Sequence, residues 1–264
     1  MKRHIIVYGL TQSGVQTASS LVEGTFASSE KTFNLGSYFK VAGDRYLSHD
    51  GNGLLLAHPT PESATSQPFF QTYRKSNKGI VSCFDYATSR IRSPEEEFKH
   101  RLRLLQEDET DTVYVSNLSA VHENQFQMSL NEIFQVPKTE VIILDPRNNL
   151  SKHAKHFFGA HQKNIWTTVP GTHIETGQDI SFTPEIAEKF KVELELLQPR
   201  LKEKTSNIRI ISSELVEKPL QFASSLGLSS ANNIQPKFKD AEFKDSWKPA
   251  DFSLFQNWIK TLQV

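Results

Sequence analysis

Cysteine is almost absent from the chain: Cys83 is the only one among 264 residues. A single cysteine excludes an intramolecular disulfide bond and any cysteine-rich metal site. Histidine does not take its place as a metal ligand, since His153, His156 and His161 match no metal-binding motif such as HExxH. The sequence therefore predicts neither a disulfide framework nor a bound metal ion.

Net charge and long apolar runs are lacking as well. Lysine plus arginine and aspartate plus glutamate both number 30, so no global field attracts nucleic acid or an acidic membrane. The first ten residues, MKRHIIVYGL, begin with basic residues, but their apolar run is too short for a signal peptide or a membrane anchor. We expect a cytoplasmic protein without nucleic-acid or membrane partners, in which any anion site is local.

Short apolar runs rich in β-branched residues alternate with helical patterns along the chain. Their nearly continuous apolar character is typical of strands that are covered on both faces. This alternation predicts a parallel sheet of about five strands flanked by helices, in one α/β domain spanning residues 1–264. The expected strands are Ile5–Tyr8, Ile80–Phe84, Thr112–Ser116, Glu140–Leu144 and Ile208–Ser212.

The helical patterns have recognisable starts and ends. One begins near Ser13 and ends at Gly24, and another opens at SPEEEF with Ser93 as its N-cap. The others are expected at Glu123–Phe134, from DPRNN through Phe157, at about Pro184–Glu203 and in PLQFASSLG.

Three polar segments interrupt this pattern. Ser28–Lys78 is rich in Gly, Ser, Thr and Pro and is interpreted as an insertion or lid, with room for short strands at Phe33–Val41 and Leu54–Ala57. Thr167–Pro184 is a second long loop, and Ala231–Lys248 is expected to run over the surface.

The turn after the first strand, GLTQSG, has the glycine spacing of a phosphate-binding loop but not its GK[ST] ending. Backbone N–H groups from Thr11 to Val15 lie at a helix N-terminus, and the hydroxyls of Ser13 and Thr17 add donors, which favours an anion. The alternative is that the two glycines only permit a tight turn and that Ser13 caps the helix.

The fourth strand ends in VIILDPRNNLSKHAKHFF, which places Arg147 and Ser151 at the same edge of the sheet as the first turn. Ligands of open parallel sheets lie at this edge, and Arg147 is suited to grip a phosphate while Ser151 donates a further hydrogen bond. The alternative is that Arg147 pairs with a surface acid. The lysines and histidines of the following helix are interpreted as a solvated face.

GLTQSGVQT, LDPRNNLSKH and IRIISSELVEKPLQFASSLGL together resemble, in order and spacing, the motifs of sulfotransferases that use 3′-phosphoadenosine-5′-phosphosulfate. The resemblance implies a three-layer, P-loop-like α/β fold and sulfuryl transfer to a hydroxyl or amine of a small-molecule or glycan acceptor, without a metal. It also implies that the donor is bound by Thr11, Gln12, Ser13, Gly14, Val15, Gln16, Thr17, Arg147 and Ser151.

The chain departs from that family pattern where cations are expected. Gln12 replaces the basic residue of the first loop, and Leu144 replaces the arginine before Asp-Pro. Ser151 lies one residue nearer than the usual serine, and Ser116 and Asn117 stand where the middle strand often ends in lysine. Because a charge-assisted hydrogen bond contributes roughly 1.5–3 kcal/mol, these losses weaken donor binding unless other groups replace them.

The acceptor needs a general base, and His122 after the third strand is the candidate, with Asp85 and His58 as others. Two other functions stay open. One is a catalytically inactive structural or interaction protein with the sulfotransferase fold, and the other is a nucleotide or nucleoside kinase with a degenerate P-loop. A serine hydrolase is not indicated, because no G-x-S-x-G motif occurs.

Overall fold

We analysed the protein as a computed structural model. The structure describes residues 3–27, 30–36, 98–99, 102–103, 105–107, 109, 111–121, 130–134, 136–163, 165, 167–168, 174–227, 236, 239–240 and 242–262.

A parallel sheet of five strands forms the centre of the described part of the chain, in the order β2-β3-β1-β4-β6. This confirms the α/β fold class predicted from the sequence. The sheet strands are β1 (Arg3–Gly9), β2 (Thr32–Gly36), β3 (Val113–Ser119), β4 (Thr139–Asp145) and β6 (Ile208–Ser212). Two further short strands, β5 (Thr167–Thr168) and β7 (Lys239–Asp240), pair antiparallel with each other.

Helices alternate with these strands. They are α1 (Val15–Ala27), α2 (Leu130–Phe134), α3 (Leu150–Lys163), α4 (Pro184–Arg200), α5 (Pro219–Ser225) and α6 (Pro249–Thr261). Two 3₁₀ segments, Arg147–Asn149 and Ser213–Glu217, follow β4 and β6 directly.

Alternate residues of β1 belong to two different cores, one on each face of the sheet. Ile5 and Val7 pack with α1 and α5, whereas Ile6 and Tyr8 pack with α3 and α4. All seven residues of β3 are buried, as expected for a strand with helices on both faces. The result is a three-layer arrangement.

The two core faces also locate a topological switch point between β1 and β4. The chain leaves β1 into α1 on one face and leaves the neighbouring β4 into α3 on the opposite face. Adjacent strands whose chains diverge in this way leave a gap at their carboxyl ends, where α/β proteins bind ligands.

The expected and observed bounds of the strands and helices can be compared where the structure describes them. Within Ser28–Lys78, the short strand expected at Phe33–Val41 overlaps β2, which pairs with β3 in the central sheet. Helix α1 continues past Gly24 to Ala27, since Phe26 packs into the core and is 7% exposed. The predicted strands Ile80–Phe84 and Leu54–Ala57 lie outside the described residues.

The segment Ala231–Lys248 was expected on the surface, and that expectation is wrong for its second half. Phe243 is buried, and its ring lies directly on Gly159 of α3, where an added Cβ would lie 2.6 Å from the ring. Asp245 is buried as well and accepts hydrogen bonds from the amides of Thr176 and Gly177. Isolated aromatic residues in a polar segment thus anchor it to the core.

Candidate functional site

The turn between β1 and α1, residues 9–14, is tightly closed. Both the amide and the hydroxyl of Ser13 donate to the carbonyl of Leu10, at 3.1 and 2.7 Å. A Cβ on Gly9 would lie 2.8 Å from Ser13 Oγ, and Gly14 has a φ of 92° that favours glycine. Gln12 adopts a φ of 65°, which is uncommon outside glycine and asparagine and needs support from its surroundings.

His153 supplies part of that support and joins the turn to the helix after β4. Its ring, 5% exposed, lies between the carbonyl oxygen of Gln12 at 3.2 Å from Nδ1 and the hydroxyl of Ser213 at 2.8 Å from Nε2. A carbonyl only accepts, so Nδ1 carries the proton and Nε2 accepts from Ser213. Burial lowers the pKa of His153 to about 4, so its imidazole is neutral at pH 7.

A buried carboxylate already contacts the turn. Glu193 of α4 is 4% exposed, and its two oxygens accept from the amide and the hydroxyl of Thr11, at 2.8 and 2.9 Å. A buried carboxylate is costly unless it is hydrogen-bonded, and these bonds offset that cost. The first donors of the turn therefore bind an anion that belongs to the protein itself.

Arg147, in the segment that leaves β4, is held by its neighbour Asp145. Its Nε lies 2.9 Å from both oxygens of Asp145, and Nη2 also donates to this carboxylate. Burial raises the pKa of Asp145, but the hydrogen bonds and charge of Arg147 outweigh it, so the net pKa is lowered. About half of the Arg147 side chain is exposed, and its Nη1 makes no hydrogen bond within the described part of the chain.

The remaining predicted donor-binding residues divide by burial. Val15 is buried at the start of α1, Gln16 and Thr17 are half-buried, and Ser151 is exposed on the first turn of α3. The first hydrogen bond of α1 joins the amide of Ala18 to the carbonyl of Gly14, so the preceding amides lie at the open end of the helix.

In the middle strand, the positions where the family often has lysine make internal contacts. Ser116 Oγ lies 2.8 Å from Nε2 of the buried His4, and Asn117 approaches Ser19 at 3.5 Å. The predicted general base His122, and its alternatives Asp85 and His58, lie outside the described residues.

Sequence reasoning missed both Glu193 and His153. The histidines of α3 were expected on a solvated face, but His153 and His156 are 5% and 8% exposed, so that expectation is wrong. Glu193 was detectable, because it interrupts the apolar stripe that Phe190, Leu194 and Leu197 form on α4. A carboxylate at such a position indicates a buried partner.

Within the described ranges, no helix is long and apolar enough to cross a membrane. Nor does that part of the chain gather three or more His, Cys, Asp or Glu side chains that could hold a metal ion. No protein-family model matches the sequence, and no curated protein matches it significantly.

Proposed function

We propose that the protein is sulfotransferase-like and binds 3′-phosphoadenosine-5′-phosphosulfate where the chain leaves β1 and β4. The observation that carries the proposal is the hydrogen bond between His153 and Gln12, 3.2 Å long. It joins the turn after β1 to the helix after β4, so the two segments that resemble donor-binding motifs meet at one edge of the sheet, at the switch point between β1 and β4.

Each segment brings a donor suited to an anion. The first amides of α1, from Val15 onward, carry the partial positive charge of a helix N-terminus. Arg147 has Nη1 directed to no protein acceptor among the described residues, and Ser151 adds an exposed hydroxyl. These groups would hold the 5′-phosphosulfate and the 3′-phosphate respectively.

The donor supplies the sulfuryl group, and the transfer is an in-line displacement at sulfur. The bond between sulfur and the phosphate oxygen breaks, and a new bond to the acceptor oxygen or nitrogen forms. The acceptor loses its proton to a base, for which His122 remains the candidate, and adenosine 3′,5′-bisphosphate leaves. The role of the protein is to position both partners and to stabilise the developing charge.

A non-catalytic structural or interaction protein with the same fold is the second candidate. The contacts of Glu193 with Thr11 and of Asp145 with Arg147 favour it, because each carboxylate already binds a donor that a phosphate would need. In this reading the polar groups of the two turns hold the fold together and bind no nucleotide.

Thermal unfolding with and without adenosine 3′,5′-bisphosphate distinguishes the candidates. Ligand at a hundredfold its dissociation constant should stabilise a donor-binding protein by about 2.7 kcal/mol. Arg147→Ala should remove this stabilisation and leave the fold intact, because an exposed ion pair contributes only about 0–1 kcal/mol. Arg209→Ala is the control: Arg209 lies near the start of β6 and donates to the carbonyl of Leu226, so its substitution should keep the ligand effect.

No stabilisation at millimolar bisphosphate would favour the non-catalytic protein, and stabilisation by ATP and Mg²⁺ alone would favour the kinase. An unchanged effect in Arg147→Ala would show that the 3′-phosphate is wrongly assigned. Transfer of labelled sulfate from the donor to phenolic, amine and glycan acceptors then tests activity directly.

A further inference from the structure

An open cleft of about 640 Å³ lies between the start of α3 and the start of α6. One wall carries Ser151, Lys152 and Lys155, on the outer side of α3. The opposite wall carries the rings of Trp247, Phe252 and Phe255. A cleft with cationic and polar groups on one side and aromatic groups on the other is a common form of small-molecule site.

Two lysines line the cleft, and two carboxylates, Glu217 and Glu242, lie near it outside the lining. Lys152 forms an ion pair with Glu217, whereas Lys155 has no ion-pair partner in the described part of the chain. Among described residues, the lining contains no carboxylate, and its remaining members are three amide side chains and His156. Burial lowers the pKa of His156 to about 4, so it adds no charge at pH 7. One uncompensated cation with amide and hydroxyl donors around it matches a single anionic group.

The aromatic side chains of the cleft differ in how deeply they are buried. Phe255 is 1% exposed, and Trp247 stacks on it with ring centroids 4.3 Å apart and an interplanar angle of 23°. Phe252 is 47% exposed at the cleft, so part of a large aromatic side chain faces solvent there. A fixed inner ring and an exposed outer ring can sandwich a planar group between or against them.

We propose that this cleft binds a small aromatic molecule that carries one anionic substituent. The ring packs against Trp247 and Phe252, and the anion lies at Lys155 within reach of the Ser151 hydroxyl. The inference does not rest on the proposed function, because such binding needs neither a nucleotide nor sulfuryl transfer. It shares only Ser151 with the residues proposed for the donor.

The test is a binding titration of the full chain with 2-naphthyl sulfate, followed by saturation-transfer NMR and calorimetry. Uncharged 2-naphthol and non-aromatic hexyl sulfate serve as the matched probes. We expect a submillimolar dissociation constant for naphthyl sulfate and at least tenfold weaker binding of both matched probes. Adenosine 3′,5′-bisphosphate is titrated separately and in competition with naphthyl sulfate, because Ser151 belongs to both proposed sites.

Two substitutions and their controls locate the site. Lys155→Gln and Phe252→Ala should each weaken the binding of naphthyl sulfate at least fivefold. The controls Lys260→Gln and Leu254→Ala lie on α6 but outside the lining, and they should change the affinity for naphthyl sulfate less than twofold. Leu254 is 54% exposed and is in this respect comparable to Phe252. All four residues are at least partly exposed, so the variants should fold, which circular dichroism checks.

Equal affinity for naphthyl sulfate and naphthol would overturn the anionic part of the proposal. No binding at 5 mM, or equal loss in test and control variants, would overturn the site itself. Loss of naphthyl sulfate binding in Arg147→Ala but not in Lys155→Gln would assign the ligand to the donor site instead.

Discussion

Because the carboxylate of Glu193 contacts Thr11, substituting Glu193 should have two opposite effects: it should lower the stability of the fold and strengthen anion binding. Glu193→Gln keeps the shape of the side chain but removes its charge: its amide oxygen can still accept from the Thr11 amide, and its amide nitrogen can donate to the Thr11 hydroxyl. Hydrogen bonds to a charged group contribute roughly 1.5–3 kcal/mol each, whereas neutral ones contribute about 0.5–1.5 kcal/mol, so both contacts with Thr11 become weaker. We therefore expect the free energy of unfolding to fall by about 2–3 kcal/mol.

The same substitution should strengthen anion binding. A carboxylate at the turn repels a phosphate bound at the start of α1. Two unit charges roughly 8 Å apart repel by about 2 kcal/mol at an effective dielectric constant near 20. Its removal should tighten binding of adenosine 3′,5′-bisphosphate by on the order of tenfold or more.

Urea denaturation measures the first effect and calorimetry with the bisphosphate measures the second. Glu195→Gln is the matched control: Glu195 lies on the same helix, is exposed and, among the described residues, pairs only with Lys191, so stability should change by less than about 0.5 kcal/mol. Wild-type stability in Glu193→Gln would refute the importance of the Thr11 contact. A loss of stability without a gain in affinity would show that the carboxylate only anchors α4.

Further predictions concern the turn, the packing of the C-terminal segment and pH. Gly9→Ala should lower the free energy of unfolding by about 1–3 kcal/mol, since the new methyl meets Ser13 Oγ at 2.8 Å; urea denaturation measures it. Gly159→Ala should destabilise the protein by a similar amount or more, because the new Cβ meets the Phe243 ring and this outweighs the better helix propensity of alanine. Thermal unfolding at the wild-type temperature would contradict this packing. His153 has a pKa near 6.5 when unfolded and about 4 when folded. Above pH 6.5 His153 is neutral in both the folded and the unfolded protein. Between pH 6.5 and 4 only the unfolded protein gains the proton, so the free energy of unfolding falls with falling pH, by about 2 kcal/mol at pH 5. Denaturation from pH 7 to 5 should show a shallower loss in His153→Gln than in wild type, and equal slopes would contradict this.

The central sheet was predictable because its strands carry their own signal. Continuous apolar, β-branched runs predicted β1, β3, β4 and β6 to within a few residues, and β6 at its observed bounds. Strand β2 was harder, since its sequence, TFNLG, lies in a polar context and, in the part of the chain that the structure describes, only one of its edges pairs. Strand order could not be read from the sequence, because it depends on which crossovers pack.

The site was predictable only in part. Strand–turn–helix patterns placed the β1 turn and the segment after β4 at one sheet edge, and the His153 contact with Gln12 joins them. The partners of these segments were not predictable, because Glu193 lies about 180 residues from Thr11. Local patterns do not specify which distant carboxylate reaches a given amide. Asp145 is the exception in distance, since it lies two residues from Arg147; the alternative prediction was that Arg147 pairs with a surface acid, without naming which one.

An anion that binds Thr11 or Arg147 therefore replaces an existing hydrogen bond to Glu193 or Asp145. A phosphate at Thr11 or Arg147 gains only the difference between its own hydrogen bonds and those of the carboxylate it displaces. Because Arg147 holds the pKa of Asp145 below its usual value, acidification to pH 5 leaves that competitor charged. Tight donor binding thus requires that the donor bind the α1 amides and Arg147 Nη1, which the carboxylates leave available, or that Glu193 move away. If Glu193→Gln tightens bisphosphate binding only by the roughly tenfold expected from charge repulsion alone, the first route holds, and the internal carboxylates and the donor occupy different groups; a much larger gain would show that the donor displaces Glu193.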